Sequence, residues 1–360
     1  MKRLLAGTAA IAAAVLFLSC PAQAISARRA ILLDATTGRV IYEKAADERS
    51  LIASTTKIMT AIIVCEQCNV LDRMFIPKEA VGIEGSSIYL KEGEVLTLQE
   101  LLYGMMLHSG NDAATALAIY CGGTVEGFAQ LMNDKARMLK MNGSHFVNPH
   151  GLDAPNHYST ARDLAILAQY AMKNPIFAHT VSTKNVRIGN RSLSNHNKLL
   201  WRVEGADGVK TGYTRAAGRI LVSSAQRQGR RLVAVTIDDG NDWADHVALY
   251  ELGFREYEVR QVLTKGQKLG QIAVLGGVTD QVGLVADDNF AFSFALSEEP
   301  IIRLYPRDFV FAPVVEGAEA GYAYICIGDK TIGKVLLRYD QTIEFQPVQK
   351  KHFWQRWSGE

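Results

Sequence analysis

The stretch Ala53-Ser54-Thr55-Thr56-Lys57-Ile58-Met59-Thr60-Ala61-Ile62-Ile63-Val64 sets a serine, and three residues later a lysine, at the mouth of a long apolar run. A spacing of three puts both side chains on one helix face. Ile58 to Val64 implies a helix buried on all sides, so Lys57 is not merely solvated. A serine at a helix start has free N–H groups beside it, and these stabilise a developing oxyanion. An unprotonated Lys57 can take the Ser54 proton, provided that burial or a neighbouring cation depresses its pKa. Read alone, the same residues are an N-cap serine and a surface lysine.

Two further motifs decide between these readings. Ser109-Gly110-Asn111 falls between two helical patterns, where a loop presents side chains to a cleft. There Ser109 can relay a proton, and Asn111 can donate to a substrate carbonyl and hold Lys57. Lys210-Thr211-Gly212 lies in Asp207-Gly208-Val209-Lys210-Thr211-Gly212-Tyr213-Thr214. Gly212 permits close backbone approach on an edge strand, while Lys210 and Thr211 supply a cation and a hydroxyl for a carboxylate. Each motif alone is an ordinary turn or hairpin. In this order they make the S-x-x-K, S-x-N, K-T-G set of a serine acyl-transfer site.

The surrounding pattern supplies a scaffold. Ala30–Leu33 and Arg39–Glu43 read as a hairpin about Asp34-Ala35-Thr36-Thr37-Gly38. Helices are predicted from Thr55 to about Cys68, from the capping box Thr97-Leu98-Gln99-Glu100 to near His108, over Asn111–Tyr120 and over Val125–Leu139. A second capping box, Thr160-Ala161-Arg162-Asp163, opens a helix that Pro175 stops. Ile220–Ala225 and Leu232–Asp238 read as adjacent antiparallel strands, followed by a helix over Ala244–Leu252 capped by Gly253. Strands, helices, strands, helix: the order suggests a sheet whose first strands pair with its last, with an inserted helical lobe.

From about Val259 short β-prone runs recur between turn signals: Leu269–Leu275, Val278–Val285, Phe290–Leu296, Ile301–Tyr305, Tyr322–Ile327 and Thr331–Arg338. They predict a small all-β sandwich without a nucleophile or metal cluster, a spacer or docking domain. In the tail, Phe353, Trp354 and Trp357 share a helical face flanked by Lys351 and Arg356, with Lys350 intruding. A basic, Trp-bearing helix of this kind can lie in a membrane interface; the rival reading is a frayed tail with chance aromatics. The expected organisation is a signal peptide over 1–24, a catalytic domain over 25–257, a β-sandwich over 258–346 and a membrane-associating tail over 347–360.

The leader reading rests on Lys2 and Arg3, the apolar stretch Leu4 to Leu18 and the A-x-A site Ala22-Gln23-Ala24. The rival is a lipoprotein signal at Cys20, which Phe17-Leu18-Ser19 fits poorly. The chain has 360 residues and a formal net charge of +2. Residues 1–24 carry Lys2 and Arg3 and no acid, so the rest is formally neutral and gives no electrostatic case for nucleic acid. Beyond the leader, Cys65, Cys68, Cys121 and Cys326 are too few for a disulfide scaffold. Cys65-Glu66-Gln67-Cys68 comes late in a helix, so small buried side chains are favoured over redox or zinc chemistry, with a structural bridge through Cys121 left open. No cofactor and no metal site is expected.

On Ala53–Thr60, Leu107-His108-Ser109-Gly110-Asn111-Asp112-Ala113-Ala114, Asn148-Pro149-His150-Gly151-Leu152-Asp153 and Gly208–Thr214, the chain resembles the serine-type D-alanyl-D-alanine carboxypeptidases, the low-molecular-mass penicillin-binding proteins. The likeness runs from about Ala30 to Arg338. Gly110 fits this group, whereas class A β-lactamases typically carry Asp there. Gly240-Asn241-Asp242-Trp243 is most similar to the sporulation-type branch and lacks arginines that some relatives carry near that point. The resemblance implies an α+β fold: a β-lactamase/D,D-peptidase-like domain, an antiparallel sheet flanked by helices with a helical lobe, then a C-terminal β-sandwich and an amphipathic anchor.

It also implies a mechanism. Ser54 attacks the carbonyl between the two terminal D-alanines of a peptidoglycan stem peptide, with Lys57 as base. The backbone N–H groups of Ser54 and Tyr213 form the oxyanion hole, Ser109 or Lys57 protonates the leaving D-alanine, and water hydrolyses the acyl-enzyme. Lys210 and Thr211 bind the terminal carboxylate. β-Lactams mimic the substrate and trap Ser54, and the enzyme is exported to the outer face of the cytoplasmic membrane. The rival readings are a serine β-lactamase, against which the β-domain and tail argue, a D,D-endopeptidase side activity, and a non-catalytic wall-binding module, against which the intact Ser54, Lys57 and Lys210 argue.

Overall fold

Alternation along five strands builds the sheet that positions everything else. The computed structural model describes residues 24–347. The expected leader, with Cys20, and the expected tail fall outside those residues except for Ala24 and Pro347. The strands are Arg29–Asp34 (β1), Val40–Lys44 (β2), Ala206–Thr214 (β3), Gly218–Arg227 (β4) and Arg230–Ile237 (β5). All neighbours are antiparallel, in the order β2-β1-β5-β4-β3. The first strand therefore pairs with the last, Leu32 opposite Ala234, as the strand-helix-strand order suggests.

Successive side chains point to opposite faces. Ile31, Leu33, Val222, Val233 and Val235 join the helical-lobe core, while Leu32, Leu221, Leu232 and Ala234 meet Leu249 and Tyr250 on the other side. Those last two belong to the closing helix α8, Asp242–Glu256. The predicted Gly253 cap is a correction: the helix runs through it. A Cβ at Gly253 would come within 2.5 Å of Leu232 and 2.9 Å of Leu32, so this glycine lets the helix lie close on the sheet.

The lobe contains α1 (Lys57–Gln67), α2 (Leu98–Leu107), α3 (Asn111–Gly122), α4 (Val125–Met138), α5 (Ala161–Ala171) and α6 (Pro175–Ser182), with the short α7 (Leu199–Arg202) following. Residues Lys57 to Cys65 of α1 are all buried. The helix is the hub of the lobe, as its unbroken apolar run requires. Thr97 and Glu100 form the full capping box at α2. At α5 only half of the expected box exists. Thr160 accepts from the Asp163 N–H, but the Asp163 carboxylate turns away to Gly143 N and Ser144 Oγ. Cys68 pairs with Cys121, joining the ends of α1 and α3, and Cys65 and Cys326 are buried free thiols.

Beyond α8 the described residues form strands and their connections, with no helix among them. A six-stranded sheet, with Lys330–Tyr339 and Gln281–Ala286 at its centre, faces a two-stranded ribbon of Tyr257–Leu263 and Phe290–Ala295. Leu263 and Phe290 of the ribbon pack into the core of the larger sheet. The pattern missed Tyr257–Leu263 because only Leu263 of that strand is buried, so little of its hydrophobic pattern is written into the sequence. The domains are tied by Arg39, bidentate to Glu298 at 2.5 and 2.8 Å, and by Arg230. Arg230 bonds the buried Asp34 carboxylate, the Gly253 and Tyr257 carbonyls and the Ser293 hydroxyl.

Candidate active site

Ser54 sits not in α1 but in a single 3-10 turn, Ala53–Thr56, that leads into it. The turn opens on Ala53 at φ 44°, a left-handed conformation that L side chains adopt rarely and at a cost. Two glycines make room for it. A Cβ on Gly151, itself at φ +91°, would fall 1.8 Å from the Ala53 carbonyl oxygen. A Cβ on Gly212 would lie 3.3 Å from Ala53 Cβ, Ile52 O and Ser54 N. The edge strand β3 thus runs directly against the serine's own backbone.

Lys57 Nζ lies 3.0 Å from Ser54 Oγ, 2.7 Å from Asn111 Oδ1 and 2.6 Å from the His150 carbonyl. It is fully buried. Burial first, and the Lys210 charge second, hold its pKa well below the usual lysine range, against a smaller upward pull from Asp112. A neutral amine has two hydrogens and one lone pair. Asn111 Oδ1 and the His150 carbonyl only accept, so they take the two hydrogens and the lone pair is left facing the Ser54 hydroxyl. Asn111 is fixed in turn by donating to the Glu84 carbonyl at 2.6 Å.

His150, His157 and His196 add no positive charge near neutral pH. Burial lowers His150 to about 3, His157 to about 4 and His196 to about 4. His157 instead meets the Thr56 hydroxyl at 2.8 Å, one residue before the lysine.

Ser54, Ser109, Thr211, Gly212 and Tyr213 line one open cleft of about 640 Å³. Three of the expected residues stand behind its wall: Lys57, Asn111 and Lys210, all buried. Ser109 holds φ 65°, which turns the loop between α2 and α3 toward the cleft. The Lys210 ammonium donates to the Thr211 carbonyl at 3.0 Å, and burial lowers it to about 7. The Tyr213 side chain is 65% exposed, so its contribution to the interior of the site is backbone.

Several site residues carried no assigned role in the sequence. The Asn148–Asp153 motif proves to be a self-bonded loop: Asn148 accepts from the Gly151 N–H at 2.7 Å and donates to the Leu152 carbonyl at 2.9 Å. That loop delivers the His150 carbonyl to Lys57. Asp112, next to the second motif, accepts from Ser87 Oγ and from the Ile88 and Leu90 N–H groups. It pins the segment whose Glu84 carbonyl and Ser86 meet Asn111. At the far rim Arg219 pairs with Asp242 at 2.7 Å and lies over Trp243. An arginine is thus present near Asp242 after all, supplied by β4 rather than by the Gly240–Trp243 stretch itself, where none was found.

The arrangement is a hydroxyl nucleophile, an adjacent uncharged amine, a strand edge with backbone donors, and a buried cation beneath a hydroxyl-lined cleft. It suits acyl transfer with a carboxylate-bearing substrate. Among the described residues no cluster of three or more His, Cys, Asp or Glu is placed to hold a metal ion.

Comparison with known proteins agrees. Residues 17–241 match the family model for D-alanyl-D-alanine carboxypeptidase, peptidase S11, and residues 257–344 match that for the penicillin-binding protein 5 C-terminal domain. The chain is 31% identical over 311 residues to D-alanyl-D-alanine carboxypeptidase DacF of Bacillus subtilis, covering 82% of this chain and 80% of the relative. It is 31% identical over 330 residues to DacD of Salmonella typhimurium, covering 86% and 85%. The crystal structure of penicillin binding protein 5 from Haemophilus influenzae superposes with a TM-score of 0.77 at 28% identity, over 89% of this chain and 98% of that one.

Proposed function

The chain belongs to the D-alanyl-D-alanine carboxypeptidase family, and from that premise we propose how its residues carry out the reaction. Ser54 Oγ attacks the carbonyl between the two terminal D-alanines of a peptidoglycan stem peptide while Lys57 takes its proton. The observation that carries this is the saturation of both Lys57 hydrogens by Asn111 Oδ1 and the His150 carbonyl, which aims the lone pair at Ser54. Base and nucleophile stand at hydrogen-bond reach before substrate arrives.

The backbone N–H groups of Ser54 and Tyr213 receive the oxyanion, a reading supported by the approach of Gly212 to Ser54 N. The terminal D-alanine carboxylate sits over Thr211, with the Lys210 charge beneath it. Ser109 or Lys57 protonates the leaving amine. Water then hydrolyses the acyl-enzyme, releasing the shortened peptide and Ser54. A β-lactam follows the first step and stalls at the second.

The leader-like residues 1–24 and the basic, Trp-bearing residues 347–360 support the reading that this enzyme works at the outer face of the cytoplasmic membrane, held there peripherally by its tail. No helix among the described residues is long and apolar enough to cross a membrane.

Mass spectrometry of the protein after penicillin tests the reading. The expected result is one added drug mass on the peptide containing Ser54, none on Ser54→Ala, and loss of one D-alanine from a D-Ala-D-Ala peptide. Labelling of Ser54→Ala, or rapid release of hydrolysed penicillin as from a β-lactamase, overturns it.

A further inference from the structure

Behind the sheet, away from the cleft, two carboxylates are buried without a counter-charge. Asp239 follows β5 and Asp245 is in the first turns of α8. They are 1% and 0% exposed. Each keeps one oxygen, Asp239 Oδ2 and Asp245 Oδ1, without a hydrogen-bond partner. Among the described residues no lysine or arginine pairs with either: Arg28 pairs with Asp238, Arg219 pairs with Asp242, and Lys44 donates to the Ile25 carbonyl. Two buried anions left in this state are costly.

What they do hold is the start of the described chain. Asp245 Oδ2 accepts from the Ser26 N–H at 2.6 Å, the Ser26 hydroxyl at 2.9 Å and the Ala27 N–H at 3.0 Å. The Ser26 hydroxyl also lies 3.2 Å from Asp239 Oδ1, so one side chain spans both carboxylates. Ile25 packs against the α8 core, and Lys44 Nζ donates to its carbonyl at 3.0 Å. The backbone nitrogen of Ile25 is one residue from Ser26 N, hence within roughly 6 Å of Asp245 Oδ2. Ala24-Ile25 is also the bond at which the A-x-A sequence Ala22-Gln23-Ala24 calls for cleavage.

We propose that Asp239 and Asp245 are the receptor for the α-ammonium of Ile25, so that removal of the leader installs the ion pair that the fold lacks before cleavage. This rests on the exported reading above. Leader-peptidase hydrolysis adds water across the Ala24–Ile25 amide, giving a carboxylate on Ala24 and an ammonium on Ile25. In place of one uncharged N–H the site gains three donors and a positive charge, which suits two open acceptor oxygens. The pair also braces the cleft from behind, because the Asp239 N–H donates to the Arg219 carbonyl at 3.1 Å and Asp242 and Trp243 follow in the same turn.

The titratable and charged groups facing this pocket are Asp239 and Asp245 themselves, His246 from α8, Tyr42 and Lys44 from β2, and the Arg28–Asp238 pair. His246 is lowered to about 3 by burial and stays uncharged. Burial, and less strongly the Asp245 charge, raises Asp239. A neighbouring anion raises the α-amine above its unfolded value of about 7.7–8.0. Its stabilisation is therefore complete below that value and lost as pH rises through the folded one.

The test compares protein beginning at Ile25, made by scarless cleavage, with the same protein preceded by Gly-Gly, each with and without Asp245→Asn. The expected result is a melting temperature about 2–4 °C higher for the Ile25 form at pH 7. The gap should close above pH 9 and be absent in the Asp245→Asn pair, or in the Asp239→Asn pair if the first does not fold. Equal melting temperatures, or a gap indifferent to pH and to both substitutions, overturn the proposal. N-terminal sequencing of protein exported by cells separates the two claims. A start at Ile25 with no thermal gap refutes the ion pair alone, while a different start refutes the cleavage reading and the proposal with it.

Discussion

The two halves of this molecule bury different things. The peptidase half encloses Lys57, Lys210, Asp112, Asp163, Asp239, Asp245 and a series of hydroxyl, amide and imidazole groups. In the β-domain, among the described residues, the buried groups of those kinds are the Tyr339 hydroxyl and Ser293, which faces the junction, where Arg230 donates to its hydroxyl. The core of that domain is aliphatic, with Val282, Leu284, Ile325, Val335 and Leu337 at its centre. A fully buried aliphatic side chain returns roughly 1.5–3 kcal/mol, whereas a buried charge costs stability unless it is paired. The peptidase half therefore gives up stability around its cleft and the β-domain does not. Removing polar groups from the first should cost function and sometimes raise stability. Removing the second should cost little chemistry.

The largest expected effect beyond loss of Ser54 is at Lys57. In Lys57→Arg a permanent cation replaces the neutral amine, and no lone pair remains for Ser54. Acylation by penicillin should fall by roughly 10²–10⁴-fold, the range for loss of a general base, with the circular dichroism spectrum retained. Near-normal acylation at neutral pH would put the base elsewhere and erase the functional half of the contrast.

Lys210 sharpens the contrast because function and stability should move in opposite directions. Lys210→Met should lower kcat/KM on an acid-ended peptide by roughly 10²-fold, the loss of a charge-assisted contact of about 2–3 kcal/mol. The wild type's kcat/KM should also decline as pH rises through about 7, where the free-enzyme Lys210 gives up its proton. The variant should lack that limb. For stability the sign runs the other way. Burial lowers the folded pKa from 10.5 to about 7, so between those values the unfolded chain binds more protons and wild-type stability rises with pH. Lys210→Met should melt higher than wild type near pH 7, and the two curves should converge toward pH 10. A variant that melts lower at every pH would show that the lysine is structural.

Much of this was legible in the sequence, for reasons that differ by element. The five-stranded sheet showed because its strands alternate between two cores, and α1 showed because it is apolar on every side. The three motifs located Ser54, Ser109, Thr211, Gly212 and Tyr213 at one cleft, with Lys57, Asn111 and Lys210 behind it. The His150 carbonyl escaped because a backbone acceptor has no residue-type signature. Arg219 escaped because its pairing with Asp242 spans 23 positions and depends on β4 register. Gly253 misled because a glycine near a helix end reads as a cap, while here it admits Leu32 and Leu232.

Gly212 offers a finer probe. In Gly212→Ala the new Cβ would sit 3.3 Å from Ala53 Cβ, Ile52 O and Ser54 N, so something must yield by a few tenths of an ångström. The displaced atoms are those that set the nucleophile. Acylation should slow by about tenfold, less than the 10²-fold that a 1 Å misplacement can cost, with little change in melting temperature. An unchanged rate would mean that strand β3 does not define the oxyanion position.

The smallest effect should come from the largest deletion. The β-domain contributes no residue to the cleft, and among the described residues its ties to the peptidase half include the Arg39–Glu298 pair, the contacts of Arg39 and Arg230 with Ser293, Arg39 over the Phe292 ring and the Leu296 N–H donated to the Glu256 carbonyl. Arg230 keeps Asp34 and the Gly253 carbonyl when that domain is gone. Arg39 is left in water, where a lone guanidinium costs little. Protein ending at Tyr257 should therefore turn over a soluble D-Ala-D-Ala peptide within about twofold of wild type, since every residue that lines the cleft is retained. It should also fail to co-sediment with anionic vesicles at low salt, whereas the full mature chain should co-sediment if the basic and aromatic residues of 347–360 anchor it as proposed. Truncation after Gln346 should give that vesicle phenotype alone. If loss of the β-domain lowered turnover of the soluble peptide by tenfold or more, the division between a half that does chemistry and a half that carries it to its substrate would be wrong. The junction at Arg230 would then have to be read as part of the catalytic fold.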